Sequence, residues 1–253
     1  MTETAQQIVM DLVKAELSQF RPAQIEKVLQ LLEEGNTVPF IARYRKEATG
    51  SLDEVEIREI EERHQYATNL HKRKEEVIRI IEEQGKLTPK LKADIERADK
   101  MQRVEDLYRP YKQKRRTKAA IAREKGLAPF AEWLMSGPMN GSVEEKAKEF
   151  LNQENEEMEL STIEDVLAGA HEIIAEIISD EPAYREHIRE YTRKNGQIVS
   201  TAKDTDKDEK GVYEMYYEFS QGISSLVSHR VLAMNRGEKA GILKVAVLID
   251  EDK

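Results

Sequence analysis

Apolar side chains recur at three- and four-residue steps along most of the chain, the period of an α-helix that buries one face. Ile8, Leu12 and Ala15 form one such stripe, and Ile25, Val28, Leu29 and Leu32 form the next. Phe20-Arg21-Pro22 marks the start of that second helix, and Gly35 ends it by offering the left-handed cap conformation. Pro39 biases Val38 toward extended backbone. Ser51 and Glu54 read as a capping box for a long pattern through Ile57, Ile60, Ala67, Leu70, Val77 and Ile81, either one rod or two collinear helices, as far as Gln84.

Thr88-Pro89 supplies a cap and a first-turn proline for the next helix. Two short helices flank Gly126, Ser142/Glu145 and Thr162/Asp165 cap two more, and another runs from Pro182 to Asn195-Gly196. Beyond 195 the pattern changes. Gln197-Ile198-Val199-Ser200 reads as a strand, Lys203 to Gly211 as a mobile charged loop, Val212 to Phe219 and Leu226 to Met234 as short helices, and Ile242 to Ile249 as the best strand. The expected fold is mainly α: a multi-helix bundle over 1–195, with sub-bundles of about 1–110 and 111–195. A mixed segment with a small β element near the C-terminus follows at 196–253, and its end just past a strand suggests a cut from a longer parent.

Charge divides the chain more sharply than the total of 40 Lys or Arg against 49 Asp or Glu implies. Met101 to Lys125 carries nine bases and three acids, whereas Glu144 to Glu181 carries thirteen acids and two bases. One stretch suits polyanions and the other repels them. The absence of cysteine excludes disulfides and thiolate metal sites. No apolar run is long enough to span a bilayer and the residues from Met1 to Thr4 show no basic n-region or apolar h-region, so the expected location is cytoplasmic, away from any membrane.

Catalytic patterns are lacking. The five histidines are scattered without metal-ligand spacing, no glycine-rich phosphate loop exists, and the paired carboxylates lie beside Lys and Arg on helix faces. A protein that is not an enzyme, with neither metal nor cofactor, is therefore expected.

Two basic clusters carry the binding expectations. In the first, Arg43, Arg45 and Lys46 accompany Phe40 and Tyr44; helical geometry would group the aromatics and send the cations outward, while salt bridges to Glu47 and Asp53 are the plain alternative. In the second, Arg109, Lys112, Lys114, Arg115, Arg116 and Lys118 follow or interleave with Tyr108 and Tyr111. Cations with aromatic platforms suit a nucleic-acid strand. Equally, the tyrosines could pack locally and the cations pair with the acidic helices between Glu144 and Glu181.

Thr37 to Gly50, TVPFIARYRKEATG, resembles the signature of the bacterial Tex family of transcription accessory proteins. Gln84 to Pro89, Glu105 to Lys118, Ser228-His229-Arg230 and Arg236-Gly237-Glu238 are similar to that family in order and spacing. At Arg109 the family often has an apolar residue. The resemblance implies the helical N-terminal region of a longer parent that carries RNase H-like, helix-hairpin-helix and OB-fold modules and binds RNA or DNA. The main nucleic-acid surface would then lie in the OB fold, outside this chain. The expected role is a transcription-associated scaffold with auxiliary phosphate contacts, its partners being nucleic acid, the parent's other domains and the transcription machinery. The alternative is a protein-interaction module that makes no nucleic-acid contact, favoured if apolar side chains are exposed between Leu226 and Ile249.

Overall fold

Proline and short polar caps decide where the helices begin. The computed structural model describes residues 3–113, 116–137, 142–151 and 160–250, arranged as two compact units, Met1–Gln113 and Lys114–Lys253.

In the first unit α1 (Glu3–Glu16), α2 (Pro22–Glu33), α3 (Val38–Tyr44) and α4 (Lys46–Thr49) lead into α5 (Glu54–Glu83), which α6 (Pro89–Arg97) and α7 (Met101–Tyr108) follow. The long pattern is one rod of 30 residues, about 45 Å at 1.5 Å per residue. Its capping box is Asp53 with Glu56, two residues beyond the expected Ser51/Glu54 pair. Ser51 instead takes a left-handed backbone, φ 66°, directly after Gly50 at φ 69°, and this two-residue turn reverses the chain before the helix can start.

Two cores line α5. Val9, Val13, Ile25, Val28 and Ile41 pack on its Ile57 and Ile60, whereas Ile95, Val104 and Leu107 pack on Leu70, Val77 and Ile81.

In the second unit α8 (Lys118–Glu124), α9 (Ala128–Met135), α10 (Val143–Lys148), α11 (Ile163–Asp180) and α12 (Pro182–Asn195) precede the strands. Thr88, Ser142 and Thr162 each accept the backbone N–H three residues on, as the sequence predicts. The helical core centres on fully buried Phe130, whose ring lies 5.9 Å from Trp133 and 5.2 Å from Phe150.

Beyond it a three-stranded antiparallel sheet, β1 (Gln197–Ala202), β2 (Glu218–Gly222) and β3 (Leu243–Leu248), runs in the order β2-β1-β3. Ser200 of β1 stands opposite Phe219 on one side and Val245 on the other. Helix α13 (Ser228–Lys239) closes this small core through Met234 and Gly237.

The sequence reading misses β2, because Val212, Tyr216 and Phe219 mimic helical spacing. Val212 instead lies in a turn, Tyr216 ends a 3-10 turn over Glu214–Tyr216, and Phe219 belongs to the strand after it. The charged stretch 203–211 is likewise more structured than a mobile loop. The buried Asp208 carboxylate accepts the N–H groups of Val212 and Tyr213, both at 2.8 Å, and the Tyr217 hydroxyl at 2.9 Å. Desolvation favours protonation of Asp208, but these donors together outweigh it and hold the carboxyl below its ordinary 3.8.

A depressed folded-state value stabilises the fold above the ordinary value and ceases to do so as pH falls through the lower one. Asp208→Asn is therefore expected to lower the melting temperature at neutral pH, with the gap from the unsubstituted chain narrowing on acidification below 3.8. Thermal scans across that range check it; a gap independent of pH would count against the anionic pin.

Candidate nucleic-acid interface

Helix α3 is turned by its own apolar residues. Val38 and Ile41 are buried toward the first core, and the helical period then leaves Phe40, Arg43 and Tyr44 outside. Arg45 breaks the helix with φ −125°, so Lys46 opens a separate short one.

The aromatic pair forms as the sequence predicts, with Phe40 and Tyr44 ring centroids 5.2 Å apart and tilted by 45°. The Arg45 guanidinium lies 5.4 Å from the Phe40 centroid, a cation–π distance. Phe40 is 37% exposed and Tyr44 62%.

The corner is fixed from beneath. Thr49 is buried, with its hydroxyl against the carbonyls of Arg45 and Lys46, and its own carbonyl accepts Gln24 Nε2 at 2.9 Å. Gln24 Oε1 in turn accepts the backbone N–H of Arg21 at 3.1 Å and its Nε at 3.3 Å. A Cβ on Gly50 would stand 3.1 Å from Arg21 Nη2, which places that guanidinium beside the α4 turn.

Arg21 thus joins Arg43, Arg45 and Lys46 at one corner. Its sequence context signals only a helix start, so nothing local reveals the association. Among the described residues none of these four cations has a carboxylate partner. The expected alternative pairing is not realised: Asp53 is occupied as a helix cap, and Glu47 forms no ion pair with them.

The second cluster behaves differently. Tyr108 is no stacking platform, because it is 8% exposed within the second core and the Arg73 guanidinium lies 5.2 Å from its ring centroid. Hydrogen bonds from Arg73 to Glu105 at 2.6 Å and Glu76 at 2.7 Å hold that guanidinium in place, the bond to Glu105 doing most to raise its pKa above the ordinary arginine value. Tyr111 is half-buried against the same core.

Arg109 and Lys112 are exposed in the first unit. In the second, Arg116 pairs with Glu124 at 2.8 Å and Lys118 with Glu172 at 3.5 Å, while Arg123 bonds Glu176. Two of the candidate cations are therefore neutralised locally, one by an acidic residue of α11, although pairs this exposed contribute only about 0–1 kcal/mol. Lys114 and Arg115 lie outside the described residues. Among the described residues no cluster of three or more metal-ligating side chains exists, and no helix is long and apolar enough to cross a membrane.

Two family models match the chain, the Tex-like protein N-terminal domain over residues 7–82 and the Tex central region-like model over 139–253. This chain belongs to the Tex family. A protein of Bacillus subtilis, YdcI, is 58% identical over 224 residues, which are 88% of this chain and 31% of that protein. Transcriptional accessory protein Tex of Neisseria gonorrhoeae is 39% identical over 229 residues, 90% of this chain and 30% of that protein. The human S1 RNA-binding domain-containing protein 1 is 29% identical over 246 residues, 94% of this chain and 24% of that one.

The chain thus spans about a third or less of these relatives' own length. Its cationic corner, residues 21–50, falls inside the Tex N-terminal match, and Ser228 to Glu238, on α13, inside the central one. The basic stretch 109–118 lies between the two Tex matches.

Proposed function

We propose that this chain is the helical platform of a Tex-like, transcription-associated protein and that its own contribution to nucleic-acid binding is auxiliary phosphate contact from the corner built by α3 and α4. The role is binding rather than catalysis, in the cytoplasm, and the partners are nucleic acid, further domains of a longer Tex-like protein and the transcription machinery. The observation that carries the reading is the set Arg21, Arg43, Arg45 and Lys46, exposed and, among the described residues, in no ion pair with a carboxylate, in a chain whose overall charge is negative. Relatives named for transcription and for an S1 RNA-binding domain support it. Lys112, Arg116 and Lys118 are secondary, because the last two already have anionic partners.

A salt titration of the whole chain with an oligonucleotide tests this. Log affinity should fall with log salt by about 0.9 per duplex-DNA phosphate contact, or about 0.7 per contact on a single strand. Replacing Arg43, Arg45 and Lys46 together by alanine should flatten the slope by two to three such contacts. Wild-type chain that ignores nucleic acid at low salt would overturn the proposal.

A second reading, contact with another protein, is favoured by the exposed apolar side chains Val227, Leu232, Val247 and Leu248. In that case the triple alanine variant of a full-length Tex-like protein would keep its RNA affinity.

A further inference from the structure

We infer that the cationic corner takes single-stranded nucleic acid, with one unpaired base laid on Tyr44 and the phosphates on either side of it met by Arg21, Arg43, Arg45 and Lys46. This rests on the phosphate-contact reading above and narrows it to one class of strand.

The aromatic pair makes the distinction. Phosphate contacts alone serve duplex and single strand alike, whereas a free aromatic face is useful only to a base that has left its own stack. Tyr44 has such a face. It is 62% exposed, belongs to no core, and its hydroxyl has no hydrogen-bond partner among the described residues. The fold gains little by keeping a tyrosine there.

Its neighbour Phe40 is disposed differently. Arg45 already lies 5.4 Å from that ring centroid, so Phe40 both packs on Tyr44 and anchors a cation. The platform is also rigid at its base. Ile41 on the same helix is fully buried, and the Thr49–Gln24–Arg21 bonds lock the following turn to α2. A positioned ring loses little freedom on binding. Stacking on an aromatic face is available to every base, so the contact would tolerate any sequence.

The test measures binding of the whole chain to four probes at low salt: a short mixed-sequence single strand, its duplex, an abasic strand of equal length, and inorganic polyphosphate. The single strand should bind more tightly than the other three. Tyr44→Leu should lose about 5- to 100-fold on that strand, the range for one base–aromatic stack. The loss should vanish on the abasic strand and be largely restored by Tyr44→Trp. A 2-aminopurine placed in the strand should be quenched by the wild-type chain and not by Tyr44→Leu.

Because Tyr44 is solvent-exposed, far-UV circular dichroism should show every variant folded. Equal affinity for based and abasic strands, or a Tyr44→Leu chain that binds like wild type, would overturn the stacking inference and leave the phosphate reading intact. Absence of binding to every probe, polyphosphate included, would overturn both.

Discussion

Phe130→Ala is expected to destabilise the second unit by about 3–5 kcal/mol, the usual cost of truncating a fully buried phenylalanine. The ring sits between Trp133 and Phe150 with Leu127, Ala131 and Val166 in the same core, so both aromatic contacts vanish with it and a cavity remains. Domains of this size are typically stable by about 5–15 kcal/mol, which makes the loss a large share of the total. Urea unfolding followed by the fluorescence of Trp133, the single tryptophan, measures it directly. The midpoint should fall markedly with the slope unchanged. A shift worth less than about 1 kcal/mol would mean that the α9–α11 core can close over the gap.

Gly237→Val should cost about 1–3 kcal/mol through overpacking. Adding a side chain to a helical glycine ordinarily helps, since glycine is about 1 kcal/mol worse than alanine inside a helix. Here the sign reverses, because a Cβ at 237 would lie 2.5 Å from Leu243 Cδ1 and 2.9 Å from Tyr213 Cδ1. Leu243 is 1% exposed at the start of β3 and cannot swing into solvent. The close approach of α13 to the sheet therefore depends on this residue having no side chain. Thermal melting of Gly237→Ala beside Gly237→Val gives the graded response: if alanine stabilises, the approach is looser than the contacts imply.

Much of the helical architecture is legible in the residues themselves. Pro22, Thr88-Pro89 and Pro182 begin helices where the sequence predicts them, and the apolar period places both ends of the α5 pattern to within a residue or two while leaving open one rod or two collinear helices. Local rules suffice there because capping and amphipathicity act over one or two turns. The sheet is harder. β1 and β3 are visible as apolar runs, but the pairing of Ser200 with Phe219 and Val245 joins residues far apart in the chain, and β2 lies in a segment that also fits a helical period.

The cationic corner is half legible in the sequence. Helical geometry groups Phe40, Arg43 and Tyr44, and adjacency in sequence brings Arg45 and Lys46 beside them. Arg21 arrives only through Gln24 and Thr49, a tertiary association that composition cannot reveal. Tyr108 shows the opposite failure: a tyrosine beside a basic run reads as a platform, yet Val104 and Leu107 on the same helix carry it into the core.

Because α5 contributes Ile57 and Ile60 to one core and Leu70, Val77 and Ile81 to the other, neither half of the first unit can release this helix without loosening the other half. Opening the middle of the rod would expose both cores at once, so its central amides should exchange with solvent only through whole-unit unfolding. The corner that holds Tyr44 is thus braced by a girder whose far end is clamped some tens of ångströms away.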